Sequence, residues 1–205
     1  MTQPLALVTG GMRRLGAVIA ARLAHAGYAL ALSSHGDGAP DDALAGALAA
    51  NRSEWKHFPA DLSEADAPDA LAQAVVAHFG RAPDLLVNSA AMFGQDHWQA
   101  MDAASLDAHF RLNVYAPLLL AKAVVAASPE TAQPAIVHIV DQRITNPNGD
   151  QLSYTLSKQA LAASVRSLAV AFGARARVNA VAPGLVIPTS DYSAEQMARL
   201  DSTRS

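Results

Sequence analysis

Residues 7–16 read LVTGGMRRLG, and the way this stretch folds decides the reading of the rest. A β-type run from Leu5 to Thr9 enters the Gly10 and Gly11 pair, and a helical pattern begins at about Arg14. Gly10 and Gly11 permit a tight turn, and Gly16 lets the helix sit close against the strand. The free N–H groups of that helix's first turn then face whatever lies above the carboxyl edge of the sheet, a place suited to a pyrophosphate. Arg14 is the odd residue, because such loops usually carry another glycine in its slot. Glycine-rich strand-to-helix turns also occur without any ligand, so the loop has to be weighed together with the rest of the chain.

Outward from the loop, short β-type runs recur at residues 28–33, 55–58, 84–88, 135–140 and 177–181. Ala/Leu-rich helical patterns separate them, at about 14–26, 40–50, 63–79, 102–127 and 153–172. Such alternation implies an α/β fold, a doubly wound parallel sheet with helices on both faces. Residues 1–205 read as one domain, without internal repeats or low-complexity tracts. The helix at 153–172 is apolar on most of its circumference, through Leu156, Ala160, Leu161, Val165, Leu168, Ala169 and Phe172. A helix greasy on two sides needs two packing partners, here the sheet and another subunit.

Composition sets the surroundings. With 51% apolar and 16% charged residues among 205, the chain can bury a core without staples. The absence of cysteine excludes disulfides, thiolate metal sites and cysteine nucleophiles, and is compatible with a reducing compartment. The seven histidines lie far apart with no helical i, i+4 pair, so no metal site is expected. A net charge of −3, with no basic cluster beyond Arg13 and Arg14, offers no footprint for nucleic acid or an anionic membrane. No basic segment precedes an apolar run at the N-terminus, and the longest apolar stretch, 114–127, is broken by Pro117 and Lys122. A cytoplasmic protein without a membrane span is the expectation.

The strongest chemical signal is YTLSK, residues 154–158. A spacing of four puts the Tyr154 phenol and the Lys158 ammonium on one helix face, a turn apart. A phenol that ordinarily ionises near pH ~10 is a poor proton donor at neutrality, but an adjacent ammonium favours the phenolate and lets the pair act as general acid or base. Taken alone, a YxxxK pair is more often a solvated tyrosine and a surface lysine.

Taken in order, these pieces resemble the short-chain dehydrogenase/reductase family over nearly the whole chain. TGGMRRLG is similar to its cofactor loop, with Gly10, Arg13, Arg14, Leu15 and Gly16 as contacts, and Asp61 with Leu62 to its adenine-side contact. NSAA at 88–91 resembles its NNAG segment (Asn88, Ser89, Ala90), Asn113 its active-site asparagine, YTLSK its catalytic pair, and APG its loop after the sixth strand, with Pro183 and Gly184. The resemblance implies NAD(P)(H)-dependent hydride transfer to a small-molecule substrate. It makes Tyr154 the proton donor, with Lys158 lowering its pKa and holding the nicotinamide ribose, and Asn113 helping to hold a proton-relay water. It also implies a homodimer or homotetramer.

Three departures sharpen the resemblance. Ordinary members hold a substrate carbonyl with a serine before the tyrosine, whereas the fifth strand here runs into Asp141. Arginine in the glycine loop, Phe93 after the NNAG-like segment and aspartate for serine together resemble the pteridine reductase branch, including bacterial dihydromonapterin reductases. In that branch the counterpart of Arg14 reaches cofactor phosphates and pterin, that of Phe93 stacks the flat ring, and those of Asp141 and Tyr154 meet the reacting edge. Chemistry agrees: a pterin offers a π surface and a row of ring nitrogens, suited to an aromatic platform and a carboxylate.

The second strand runs into SSHGD with no acid at its end, so the usual clamp for a ribose 2′-hydroxyl is missing. NADPH is therefore the expected cofactor, with Arg13, Ser34 and His35 as phosphate contacts. The family continues past the sixth strand with a substrate-covering segment, another helix and a seventh strand. Here the expectation is six strands in the order 3-2-1-4-5-6, residues 185–205 as a partial substrate-loop region of either an incomplete chain or a shortened member, and an exposed sixth strand. Two other readings stay open: a reductase of another carbonyl or imine, which would make no use of Asp141 and Phe93, and a non-catalytic nucleotide-binding protein.

Overall fold

The strands that bury both faces are those with unbroken apolar runs. β1 (Leu5–Thr9) is buried at all five positions, and β2 (Ala29–Ser34) at its first five. β4 (Leu85–Asn88) and β5 (Ala135–Ile139) complete the middle of the sheet, while β3 (Trp55–Pro59) and β6 (Arg177–Val181), with polar and exposed positions, lie at its edges. All six are parallel, in the order β3-β2-β1-β4-β5-β6. The computed structural model describes residues 3–184 and Val186, so the expectation for 185–205 lies outside the described residues apart from Val186.

Alternation along each strand splits the core in two. Leu5 and Leu7 face one side, with Ala29, Ala31, Leu86 and Ile136, and are covered by α3 (Ala67–Phe79), α5 (Ala116–Ala127) and α6 (Leu152–Phe172). Ala6 and Val8 face the other, with Leu30 and Leu32, under α1 (Arg14–His25) and α2 (Asp42–Asn51). Small residues on α1, Ala17, Ala20 and Ala24, bring that helix close to the sheet.

Two expectations change in detail. Helix α3 begins at Ala67 and not at 63, because the Asp61 carboxylate accepts the Ser63 N–H (3.0 Å) and hydroxyl (2.6 Å) and holds the chain in a turn. The single helix expected over 102–127 is α4 (Ala103–Phe110), a π-helical turn (Arg111–Tyr115) and α5. Pro117 has no N–H to donate back along the helix, and the Ala116 N–H reaches five residues back to Arg111, so the helix widens there. The wide turn carries Asn113 into the interior. Ala103–Ala127 is long and apolar enough to cross a membrane by length and composition, but its apolar side chains Ala116, Leu120, Ala121 and Val124 belong to the core.

His138 of β5 is fully buried, accepts at Nδ1 from Asn88 Nδ2 (3.1 Å), and is pushed down to about 4 by burial, with the Lys158 charge adding to the effect. The unfolded chain therefore takes up this proton before the folded one. Stability should fall as pH drops from about 6.5 through about 4, by up to about 3 kcal/mol from this residue. Urea unfolding at pH 7 and pH 5 tests this: His138→Asn should lose that part of the pH dependence, and an unchanged acid slope would assign it elsewhere.

Candidate active site

At the carboxyl edge of the sheet, two glycines have no substitute. A Cβ on Gly11 would lie 2.8 Å from the Val8 carbonyl oxygen, and one on Gly16 only 2.0 Å from that of Gly10. Thr9 Oγ1 accepts from the Ser89 and Ala90 N–H groups, each at 3.1 Å, and so ties this loop to the NSAA segment. Helix α1 starts without a cap: Arg13 precedes it in an extended conformation, its side chain makes no capping bond, and the first turn holds no acid. Helices α2 and α4, by contrast, are capped by Asp41 and Asp102. An uncapped helix start flanked by the exposed Arg13 and Arg14, over a cradle that any Cβ would fill, fits a dinucleotide's pyrophosphate.

Arg14 has φ +54°, the left-handed backbone that a glycine in its slot would adopt freely. For a side chain this costs roughly 1–2 kcal/mol, and the return is a guanidinium at the mouth of the loop. At the ends of β2 and β3, Ser34 Oγ donates to the Gly36 carbonyl (2.9 Å) and lies 2.7 Å from His57 Nε2. His35 Nδ1 stands 3.5 Å from Asp61 Oδ2. The hydroxyl and N–H of Ser63, joined by the His35 charge, hold Asp61 below the usual carboxylate range. Leu62 is buried among the core side chains. His57, which sequence reading passed over, joins this group only through the β2–β3 register.

Around the start of α6 the predicted catalytic residues come together. Tyr154 Oη donates to Asp141 Oδ2 at 2.9 Å, so the residue in place of the usual serine bonds directly to the phenol. The Phe93 ring, 44% exposed, meets the Tyr154 ring edge-on with centroids 5.0 Å apart. Lys158 is buried, donates to the Ile139 carbonyl (2.8 Å), and its Nζ lies 5.8 Å from the centre of the Tyr154 ring. Burial pushes its ammonium down to about 8, against the opposing pull of Asp141. Pro183 accepts the Gln142 N–H (3.1 Å), which brings the APG loop beside Asp141. The Asn113 side chain accepts the Met92 N–H (2.8 Å) and donates to Met92 O and Ser157 Oγ (each 3.0 Å). Ser157 in turn donates to the Tyr154 carbonyl at 2.6 Å.

A family model described as enoyl-(acyl carrier protein) reductase matches residues 11–203. The chain belongs to the short-chain dehydrogenase/reductase family. Among the relatives of this chain, pteridine reductase 1 of Leishmania tarentolae is 32% identical, over 93% of this chain and 79% of its own length. D-threitol dehydrogenase of Mycolicibacterium smegmatis is 31% identical over 98% and 76%. The crystal structure of FolM alternative dihydrofolate reductase 1 from Brucella canis, complexed with NADP, superposes with a TM-score of 0.89 at 35% identity, covering 97% of this chain and 78% of that one.

The left-handed Arg14 gives this chain an inverted substitution order. Within a helix, alanine is normally favoured over glycine by about 1 kcal/mol. At position 14, Arg14→Gly should be more stable than Arg14→Ala by about 1 kcal/mol, because only glycine relieves the backbone. Thermal unfolding of the two variants checks it, and an alanine variant at least as stable as the glycine one would show the backbone to be unstrained.

Proposed function

We propose that this short-chain reductase uses NADPH to reduce a C=N bond of a flat, pterin-type heterocycle, such as a dihydropterin or dihydrofolate, to the tetrahydro form. The observation that carries the reading is the Tyr154–Asp141 hydrogen bond beside the half-exposed Phe93 ring. A proton donor, a group for ring nitrogens and an aromatic surface meet in one place. The similarity to a pteridine reductase and to an alternative dihydrofolate reductase supports it.

In this reading the uncapped start of α1, with Gly10, Arg13, Arg14, Leu15 and Gly16, holds the pyrophosphate. Arg13, Ser34 and His35 hold the 2′-phosphate, Asp61 and Leu62 the adenine side, and Asn88, Ser89, Ala90, Lys158, Pro183 and Gly184 the nicotinamide end. NADPH bound there supplies hydride to the ring carbon. Tyr154 Oη delivers the proton to the adjacent nitrogen, Lys158 favours the phenolate left behind, and Asp141 fixes the heterocycle by charge-assisted hydrogen bonds. Phe93 sets the plane of the ring, and Arg14 faces both phosphate and heterocycle. We assign the protein to the cytoplasm as a homodimer or homotetramer, the exposed Leu156 and Val170 of α6 supplying apolar contact area.

A second reading, reduction of another carbonyl or imine, draws on the similarity to D-threitol dehydrogenase. NADPH oxidation against 7,8-dihydropterins, dihydrofolate and simple ketones separates the two. Asp141→Ala should leave NADPH affinity nearly unchanged and lower pterin reduction at least ~10-fold, the scale of one charge-assisted hydrogen bond. Wild type that reduces ketones and ignores every pterin would remove the substrate assignment.

Three further outcomes belong to the same site. Tyr154→Phe should keep NADPH binding and lose ~100- to 10,000-fold in turnover. In a kcat–pH profile, reduction should decline above about pH 8, where Lys158 loses its proton. Fluorescence titration should show tighter binding of NADPH than of NADH, and equal affinities would discard the 2′-phosphate contacts.

A further inference from the structure

The loop that carries Phe93 is fastened on both sides of that residue. On one side, Met92 is held through its N–H and carbonyl by the Asn113 side chain. On the other, the buried Asp96 reaches the start of α6, 57 residues further along the chain. Its carboxylate accepts the Ser153 N–H at 3.1 and 3.3 Å, the Ser153 hydroxyl, and the Ser105 hydroxyl at 3.4 Å, while its carbonyl accepts the Leu152 N–H at 3.3 Å. Asp96 also forms an isolated parallel bridge with Gln151.

Helix α6 has no local cap, since Gln151 precedes it without a capping side-chain bond. Asp96 takes over that role from a distant loop, and a negative charge there also suits the helix dipole. Burial works against the ionised form, but the hydrogen bonds from Ser153, Leu152 and Ser105 hold Asp96 below the usual carboxylate range. The next residue after Ser153 is Tyr154, and its ring meets Phe93. One carboxylate therefore joins the proton donor's helix to the loop that carries the aromatic surface.

We propose that Asp96 is a positioning residue, whose capping of α6 fixes Phe93 against Tyr154 and thereby sets the substrate plane relative to the proton donor. This rests on the reading that a flat substrate lies on Phe93. Asp96 touches no reacting atom; it acts through Phe93. Asn113 holds the other side of the loop, so loss of Asp96 loosens residues 93–97 while Met92 stays in place.

The test is a double-mutant cycle of Asp96→Asn and Phe93→Ala, read as KM and kcat for dihydropterin reduction, with hydrogen–deuterium exchange on each protein. Asparagine preserves the volume but turns an NH2 group toward donors. Asp96→Asn should raise KM ~10-fold, leave NADPH affinity within ~2-fold, and speed exchange at the amides of 93–97 and 152–154 alone. In the Phe93→Ala background the same substitution should change KM by less than ~2-fold. Ser105→Ala, which removes a single donor, should shift KM and exchange in the same direction by less. Additive effects of the two substitutions, or faster exchange spread over the whole fold, would reduce Asp96 to a general stabiliser and overturn the proposal. If wild type binds NADPH but reduces only a carbonyl substrate, the pterin reading fails by itself. The cycle on that substrate and the exchange pattern then judge Asp96 by the same criteria.

Discussion

The site depends on how closely α1 approaches the end of β1. A methyl group at Gly16 would lie 2.0 Å from the Gly10 carbonyl oxygen, closer than atoms can come, so any side chain there would push the helix away from the strand. With the helix seated, its uncapped first turn and the exposed Arg13 and Arg14 face the carboxyl edge, where β4 and β5 also deliver Asn88 and Asp141. Thr9 joins this loop to Ser89 and Ala90, so the glycine loop and the loop leading to Phe93 share one support.

Charge is arranged around that edge at some cost. Lys158 and His138 are both buried, and both are pulled toward their neutral forms. His138 yields completely, acting as a neutral acceptor for Asn88. Lys158 keeps its proton near neutrality, with a carbonyl at 2.8 Å and Asp141 opposing the effect of burial. The left-handed Arg14 adds backbone strain at the glycine loop. Costs of this kind gather where a protein binds and reacts, since elsewhere a glycine or an apolar side chain would serve better.

The sheet and much of the site were legible in the sequence for local reasons. Unbroken apolar runs such as LALVT belong to strands buried on both faces, and the alternation of those runs with Ala/Leu-rich helices leads to the parallel order seen here. Tyr154 and Lys158 stand a turn apart because helix periodicity requires it. Helix boundaries were less legible where a side chain competed with the helix, as Asp61 does for Ser63, or where Pro117 forced a wider turn.

By itself, the sequence determined the α/β class, the glycine loop, the YxxxK pair and the presence of an aspartate in the serine's place, since each depends on residue type and short spacing. Only the tertiary structure decided which distant groups meet. The Tyr154–Asp141 bond spans 13 residues, Asn113 to Ser157 spans 44, and Asp96 to Ser153 spans 57. None of these pairs has a periodic signature, because their meeting follows from strand register, a widened helical turn and the path of a loop. Asp96, an ordinary acid in GQDHW, becomes the cap of α6 only when the fold brings the loop after β4 against the start of that helix. The reason is physical: a helix start without a local cap leaves N–H groups unpaired, and the fold supplies their acceptor from elsewhere in the chain.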